Sequence, residues 1–341
     1  MPRIRYLPAV VLASALGVAL AQAPAETEPL EEVVVTGEFP GPGMWKVTRA
    51  DDPAGHVLWI VGEPPPLPRR MKWKSRQVEA VATGAQEILL DASVRMEPDE
   101  KIGVFKGLSL LPVALKARRN PEEATLRSQL PADVYERWLV QKKRFLGSDS
   151  GVEKWRPIFA ADKLRREAFD DLGLREGGMV WEVVGKLAKK QKIKTTTPSL
   201  QFTFQADGLK AKIREFSRQP LADTECFATT LDLTEALSDT ATEESRARAW
   251  ATADLATLAS LPPLPNPYVP CAMALLATDF AKEVIPADIR EQLHALWIES
   301  VGKSLEANQT TLAIVPLAKL TRPGGYLEQL RAKGYLIEAP K

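Results

Sequence analysis

The 341-residue sequence predicts an α/β (α+β) protein: a mixed, partly parallel sheet built from N- and C-terminal strands, with a large helical insertion between them. Three observations carry this. Two apolar, β-branched runs lie close together near the start, Met44–Arg49 (MWKVTR) and residues 56–62 (HVLWIVG). Helical periodicity then dominates for about two hundred residues. The end returns to strand–helix–strand order, and such a crossover favours parallel pairing with a right-handed connection.

The elements follow in order. Arg3 and Arg5 precede an apolar run at 7–20, and Ala19-Leu20-Ala21 is a small-x-small cleavage site. This layout predicts a signal peptide over residues 1–21 and a periplasmic or secreted protein, because the run is too short for a membrane span. No later segment is apolar enough to span, so the mature chain is predicted to have no transmembrane segment. Residues 22–43, rich in Ala, Pro and Glu, read as a flexible leader. Within it LEEVVVTG looks like the plug opening of TonB-dependent receptors, but the chain lacks a barrel's repeated ten-residue strands. Residues 44–341 read as a single domain. The turn at 51–55 (DDPAG) separates the first two strands. Residues 75–83 (SRQVEAVAT) read as a short amphipathic helix and 87–91 (EILLD) as a strand. In 131–145 Val134, Trp138 and Phe145 share a helix face, and Gly147 stops that helix. Residues 192–196 (KIKTT) are a strand among helices, and 258–270 is a proline-rich connection. Residues 287–306 carry the stripe Ile289, Leu293, Leu296, Trp297, Val301 and Leu305. Residues 311–315 (TLAIV), 325–333 and Tyr335–Glu338 complete the closing strand–helix–strand unit, with Gly334 as the helix cap.

Lys and Arg number 45 against 44 Asp and Glu, a formal charge of +1 that falls to about −1 once Arg3 and Arg5 leave with the signal peptide. No long-range field points toward nucleic acid or an anionic membrane. The basic run at 186–194 reads as a solvated helix face. Cys226 and Cys271 are the two cysteines. In an oxidising compartment they form a candidate disulfide; two separate buried thiols are the other reading.

In order and spacing, GMWKV, HVLWIVG, MKWKSRQVEAVATGAQEILLD and TLAIVPLAKLTRPGGYLEQLRAKGYLIE make residues 44–340 resemble the TraB/GumN family. Its wider relatives include the Tiki metalloproteases and the erythromycin esterase and ChaN-like proteins. The resemblance implies a metal-dependent hydrolase ancestry. The site of active members has two Gly-x-x-His motifs, after an early and a late strand, plus an acidic residue after a third. Strand ends on one sheet edge converge, so imidazoles and a carboxylate distant in sequence can hold one ion and activate water.

On this pattern the first motif falls on Gly62-Glu63-Pro64-Pro65, the second on Pro316-Leu317-Ala318-Lys319, and the acid on Asp91. Proline has no ligating side chain, and a protonated lysine repels a dication. The resemblance therefore implies a lost metal site and no cofactor. It predicts a catalytically degenerate, exported protein that binds a peptide, glycan or protein partner. The alternative is a divergent peptidase or esterase in which Glu63, Asp91 and Lys319 meet at the strand edge for acid–base work. His56 reads as a turn residue and His294 as a helix residue beside Leu293 and Trp297. A zinc site made of His56, His294, Cys226 and Cys271 lacks a local ligand pair at standard spacing. Trp73 is placed at a groove wall. No nucleophile elbow, Walker loop or His-Glu-x-x-His motif is present.

Overall fold

A computed structural model describes residues 38–39, 41–64 and 66–340, with backbone alone at 38, 39 and 106. The signal-peptide reading, most of the leader and Pro65 lie outside the described residues. The N-terminal third supplies strands β1 (Glu38–Phe39), β2 (Met44–Arg49), β3 (Val57–Glu63), β4 (Leu67–Pro68) and β5 (Lys72–Trp73). Helix α1 (Arg76–Gly84), β6 (Glu87–Leu90) and β7 (Ser93–Pro98) follow. The β2–β3 turn closes because the Asp52 carboxylate accepts from the Ala54 and His56 amides at 3.0 and 2.7 Å.

The middle of the chain is helical: α2 (Val104–Ala117), α3 (Leu126–Gln129), α4 (Ala132–Phe145) and α5 (Pro157–Asp171). Strand β8 (Leu174–Arg175) then leads into α6 (Met179–Gln191), β9 (Lys194–Thr196) and β10 (Ser199–Phe204). Next come α7 (Leu209–Phe216), α8 (Thr224–Ala236), α9 (Thr240–Ala251), α10 (Leu255–Ser260), α11 (Tyr268–Leu276) and α12 (Asp279–Val284). The C-terminal part holds α13 (Ile289–Ala307), β11 (Thr310–Pro316), α14 (Leu317–Thr321), α15 (Tyr326–Ala332) and β12 (Tyr335–Glu338). Lys192, read as the start of a strand, instead ends α6 in the left-handed conformation at φ 57°. None of the described helices is long and apolar enough to cross a membrane.

The main sheet is mixed, in the order β12-β2-β3-β11-β6-β9. β3, β11, β6 and β9 pair in parallel, whereas β2 runs antiparallel to β3 and β12 antiparallel to β2. The closing strand therefore differs in one respect from the crossover reading. It runs in the same direction as β11 but does not sit beside it. β3 and β6 already occupy both edges of β11, so β12 takes the open edge of β2. A further parallel ribbon, β7 with β10, was not legible in the sequence.

Helices cover both sheet faces, so β11 reads as an unbroken apolar run, buried from Thr311 to Val315. On one face Val61, Ile88 and Ile314 pack with Val180, Val184 and Trp250. On the other Ile60, Leu89 and Val315 pack with Trp297, Val301, Leu320 and Tyr326. A separate helical core surrounds Trp138, whose ring lies 5.3 Å from Phe227 in edge contact. Cys226 of α8 is bonded to Cys271 of α11, tying two helices of the insertion together.

Glu87 opens β6 in a buried position. Its carboxylate accepts from Thr196 Oγ1, from Ser304 Oγ at 2.9 Å and from Asn308 Nδ2 at 2.7 Å, with Lys194 Nζ at 2.8 Å. Burial pushes its pKa up, but the Lys194, Thr196 and Ser304 hydrogen bonds outweigh that and hold it below the usual glutamate value.

Candidate functional site

The residues picked out by the family resemblance lie where β3, β6 and β11 end together. Gly62 is opposite Val315 and Glu63 opposite Pro316, while Leu90 pairs with Ile314 and places Asp91 at the same level. Shared level is not shared face, because side chains alternate along a strand. Glu63 follows the parity of Val61 and points to the α6 face. Asp91 follows Leu89 and points to the α13–α15 face. Glu63 therefore does not join Asp91 and Lys319.

On its face Glu63 serves the start of α6. The turn before that helix uses Gly177 and Gly178 at φ +142° and +74°, backbone that suits glycine. This brings the Val180 amide to 3.1 Å from Glu63 Oε1. Burial raises the Glu63 pKa, while the Val180, Met179 and Trp181 amides and the Arg175 charge oppose the rise. The residue is a helix-terminal acceptor, a structural use of a carboxylate.

On the opposite face Asp91 is held from two sides. Lys319 Nζ, carried by α14, lies 2.5 Å from Oδ2, and Tyr326 Oη, at the start of α15, donates to Oδ1 at 2.6 Å. Tyr326 is buried and stacked on Trp297 with ring centroids 3.9 Å apart, and the His294 ring centroid lies 4.5 Å from that of Tyr326. Burial, followed by the Asp91 charge and hydrogen bond, raises the Tyr326 pKa and keeps it a phenol donor. Burial lowers the His294 pKa, and the Arg322 and Lys319 charges add to this against Gln329 and Asp91, so the imidazole is neutral at pH 7. Tyr326, Trp297 and His294 are thus joined to Asp91 through packing that no motif in the sequence announces.

Gly62 explains the glycine that ends the β3 sequence run. Its backbone is not left-handed, so conformational freedom is not its reason. A Cβ there would lie 2.6 Å from Leu317 Cδ1. The glycine makes room for Leu317, so the close approach at this strand end is that of the protein's own helix α14. On the other side the Gly62 carbonyl accepts from Trp250 Nε1 at 3.1 Å, and Trp73 packs edge-on against Trp250 at 5.5 Å. Trp73 is therefore half-buried against the core rather than standing as a free wall. Pro64 is buried, and Pro316 is exposed at the start of α14.

The remaining candidates are scattered. His56 Nδ1 is 2.9 Å from Asp52 Oδ2 within the β2–β3 turn. Cys226 and Cys271 are bonded to each other, which removes them as thiolate ligands for His56 and His294. Among the described residues no group of three or more His, Cys, Asp or Glu is placed to hold a metal ion. The metal implied by the resemblance does not fit this donor set: the one carboxylate in the acid position faces an ammonium group, and the second motif supplies that ammonium. A cavity of about 260 Å³, formed by Gln219–Ala222 with Ala274 and Ala277–Asp279, is lined by none of the site residues.

A family model described as the TraB/PrgY/gumN family matches residues 43–339. No curated protein and no solved structure matches the chain.

Proposed function

The chain belongs to the TraB/PrgY/gumN family, and from that premise we propose that it is an exported, catalytically silent member that works by binding a peptide, glycan or protein partner. The observation that supports this is the state of Asp91. Both carboxylate oxygens are engaged, one by Lys319 and one by Tyr326. The Lys319 ammonium neutralises that carboxylate and repels a dication, so the pair offers no net negative charge to hold an ion. Leu317 occupies the space beside Gly62, and Glu63 is committed to α6 on the far face. A divergent hydrolase using Glu63, Asp91 and Lys319 together would need all three on one face.

The signal-peptide pattern at 1–21 supports export to the periplasm or beyond, and a fusion to a reporter active only outside the cytoplasm tests it. The catalytic reading is tested with purified mature protein. Calorimetric titration with zinc and manganese, and turnover of peptide and ester panels, should both be blank. A hydrolytic rate that Asp91→Ala abolishes, or stoichiometric ion binding lost in the same variant, would overturn the proposal.

A further inference from the structure

Helix α2 is apolar apart from Lys106, Ser109 and Lys116, and it is covered on one side. Its inner side presents Leu110, Val113 and the buried Ala117, and it packs along α7. Its outer side carries Val104, Leu108, Leu111 and Leu115, spaced four, three and four residues apart and so in one stripe, with Phe105 beside them. Phe105 is 89% exposed, Val104 77% and Leu108 62%. A contiguous exposed apolar patch of this kind marks an interaction surface.

The surrounding charge identifies the occupant. No acidic residue lies between Glu100 and Glu122, while Lys101, Lys116 and Arg119 are exposed there. The adjoining α7 segment exposes Lys210, Arg214 and Arg218, spaced four residues apart, and none forms an ion pair among the described residues. An apolar helix face bordered by cations is the composition of a helix that lies in the headgroup layer of an anionic bilayer. A second copy of this chain would bring the same cations face to face across a two-fold axis. A helical or extended peptide would need a groove, whereas Phe105, Val104 and Leu108 are exposed to the degree of projecting side chains. The whole-chain charge near zero conceals this cluster, in which cations outnumber the acids Asp207 and Glu215 of the α7 segment and Glu100 before α2.

We propose that α2 docks the protein, without spanning, onto an anionic phospholipid surface, inserting Val104, Phe105, Leu108, Leu111 and Leu115 below the headgroups while the neighbouring lysines and arginines meet the phosphates. This stands apart from the strand-end site, and neither reading depends on the other. The test is co-sedimentation of mature protein with phosphatidylcholine vesicles prepared with and without phosphatidylglycerol, at low and high salt. Binding is expected to the phosphatidylglycerol vesicles, to weaken with salt, and to fall roughly 100-fold in Phe105→Glu/Leu108→Glu. Both positions are exposed, so circular dichroism should report an unchanged fold. A Leu111→Trp variant supplies a second reading, a blue-shifted emission when vesicles are added. Absence of binding to either vesicle would overturn the proposal. So would equal binding by the double variant, or a dimer in buffer that this variant converts to monomer.

Discussion

If Gly62 is glycine because Leu317 needs the space, the two positions must be energetically coupled. A Cβ on residue 62 would meet Leu317 Cδ1 at 2.6 Å, its Cβ at 3.1 Å and its Cα at 3.3 Å. The contact with the Cδ1 methyl is the severe one, since those with Cβ and Cα call for a shift of only a few tenths of an ångström. Gly62→Ala therefore pushes the Leu317 side chain out of its packed position, an overpacking cost of about 1–3 kcal/mol. Leu317→Ala empties a half-buried site and costs about 1–2 kcal/mol, below the range for fully buried leucine. In the double variant the new methyl sits where Leu317 had been, so the combined loss should fall short of the sum by about 1 kcal/mol or more. Urea unfolding of the four proteins of the cycle, compared by midpoint at constant slope, measures this. Losses that add to within about 0.4 kcal/mol would show that something other than Leu317 requires the glycine.

Three further outcomes follow from the same contacts. Asp91→Ala leaves the buried Tyr326 hydroxyl without its acceptor and should lower thermal stability by about 1–3 kcal/mol, with Tyr326→Phe in the same chain recovering part of the loss. Glu63 has a raised pKa, so the native state takes up its proton more readily than the unfolded chain. Its contribution is full below 4.5 and is lost as pH rises through the native value, and Glu63→Gln, which still accepts the Val180 amide, should gain in melting temperature over the parent with rising pH. A gap that narrows instead would contradict the assignment. Breaking the Cys226–Cys271 bond with a reductant should cost about 4 kcal/mol in the chain-entropy account, read as a lower urea midpoint that a Cys226→Ser/Cys271→Ser variant reproduces without reductant.

The outer framework was legible because its signals are local. MWKVTR, HVLWIVG, EILLD and TLAIV alternate or cluster apolar residues at strand spacing, and each forms a strand in the main sheet. What escaped depends on register. Glu63 and Asp91 both end strands, and only the pairing of those strands through β11 shows that they face opposite helical layers. The β7–β10 ribbon escaped because Ser93–Pro98 is largely exposed, Val94 and Met96 included, so hydrogen bonding rather than burial defines it. Pro316-Leu317-Ala318-Lys319 reads only as a motif after a strand, yet Leu317 opens α14, which carries both Leu317 and Lys319 to the site. The Asp91–Tyr326 contact joins residues far apart in the chain, and no spacing rule anticipates it. The α2 segment is not singled out by the sequence, because an apolar helical stretch suggests interior packing until the structure shows which side is covered.

β11 lies between β3 and β6, although those two strands are made near the start of the chain and β11 near its end. A ribosome must therefore add almost the whole polypeptide before the middle of the sheet exists. Until then the first strands have open edges that β11 has yet to fill, which favours slow closure and exposure to mispairing. The same delay leaves the helical layers without the sheet centre they pack against until residues 310–316 are made.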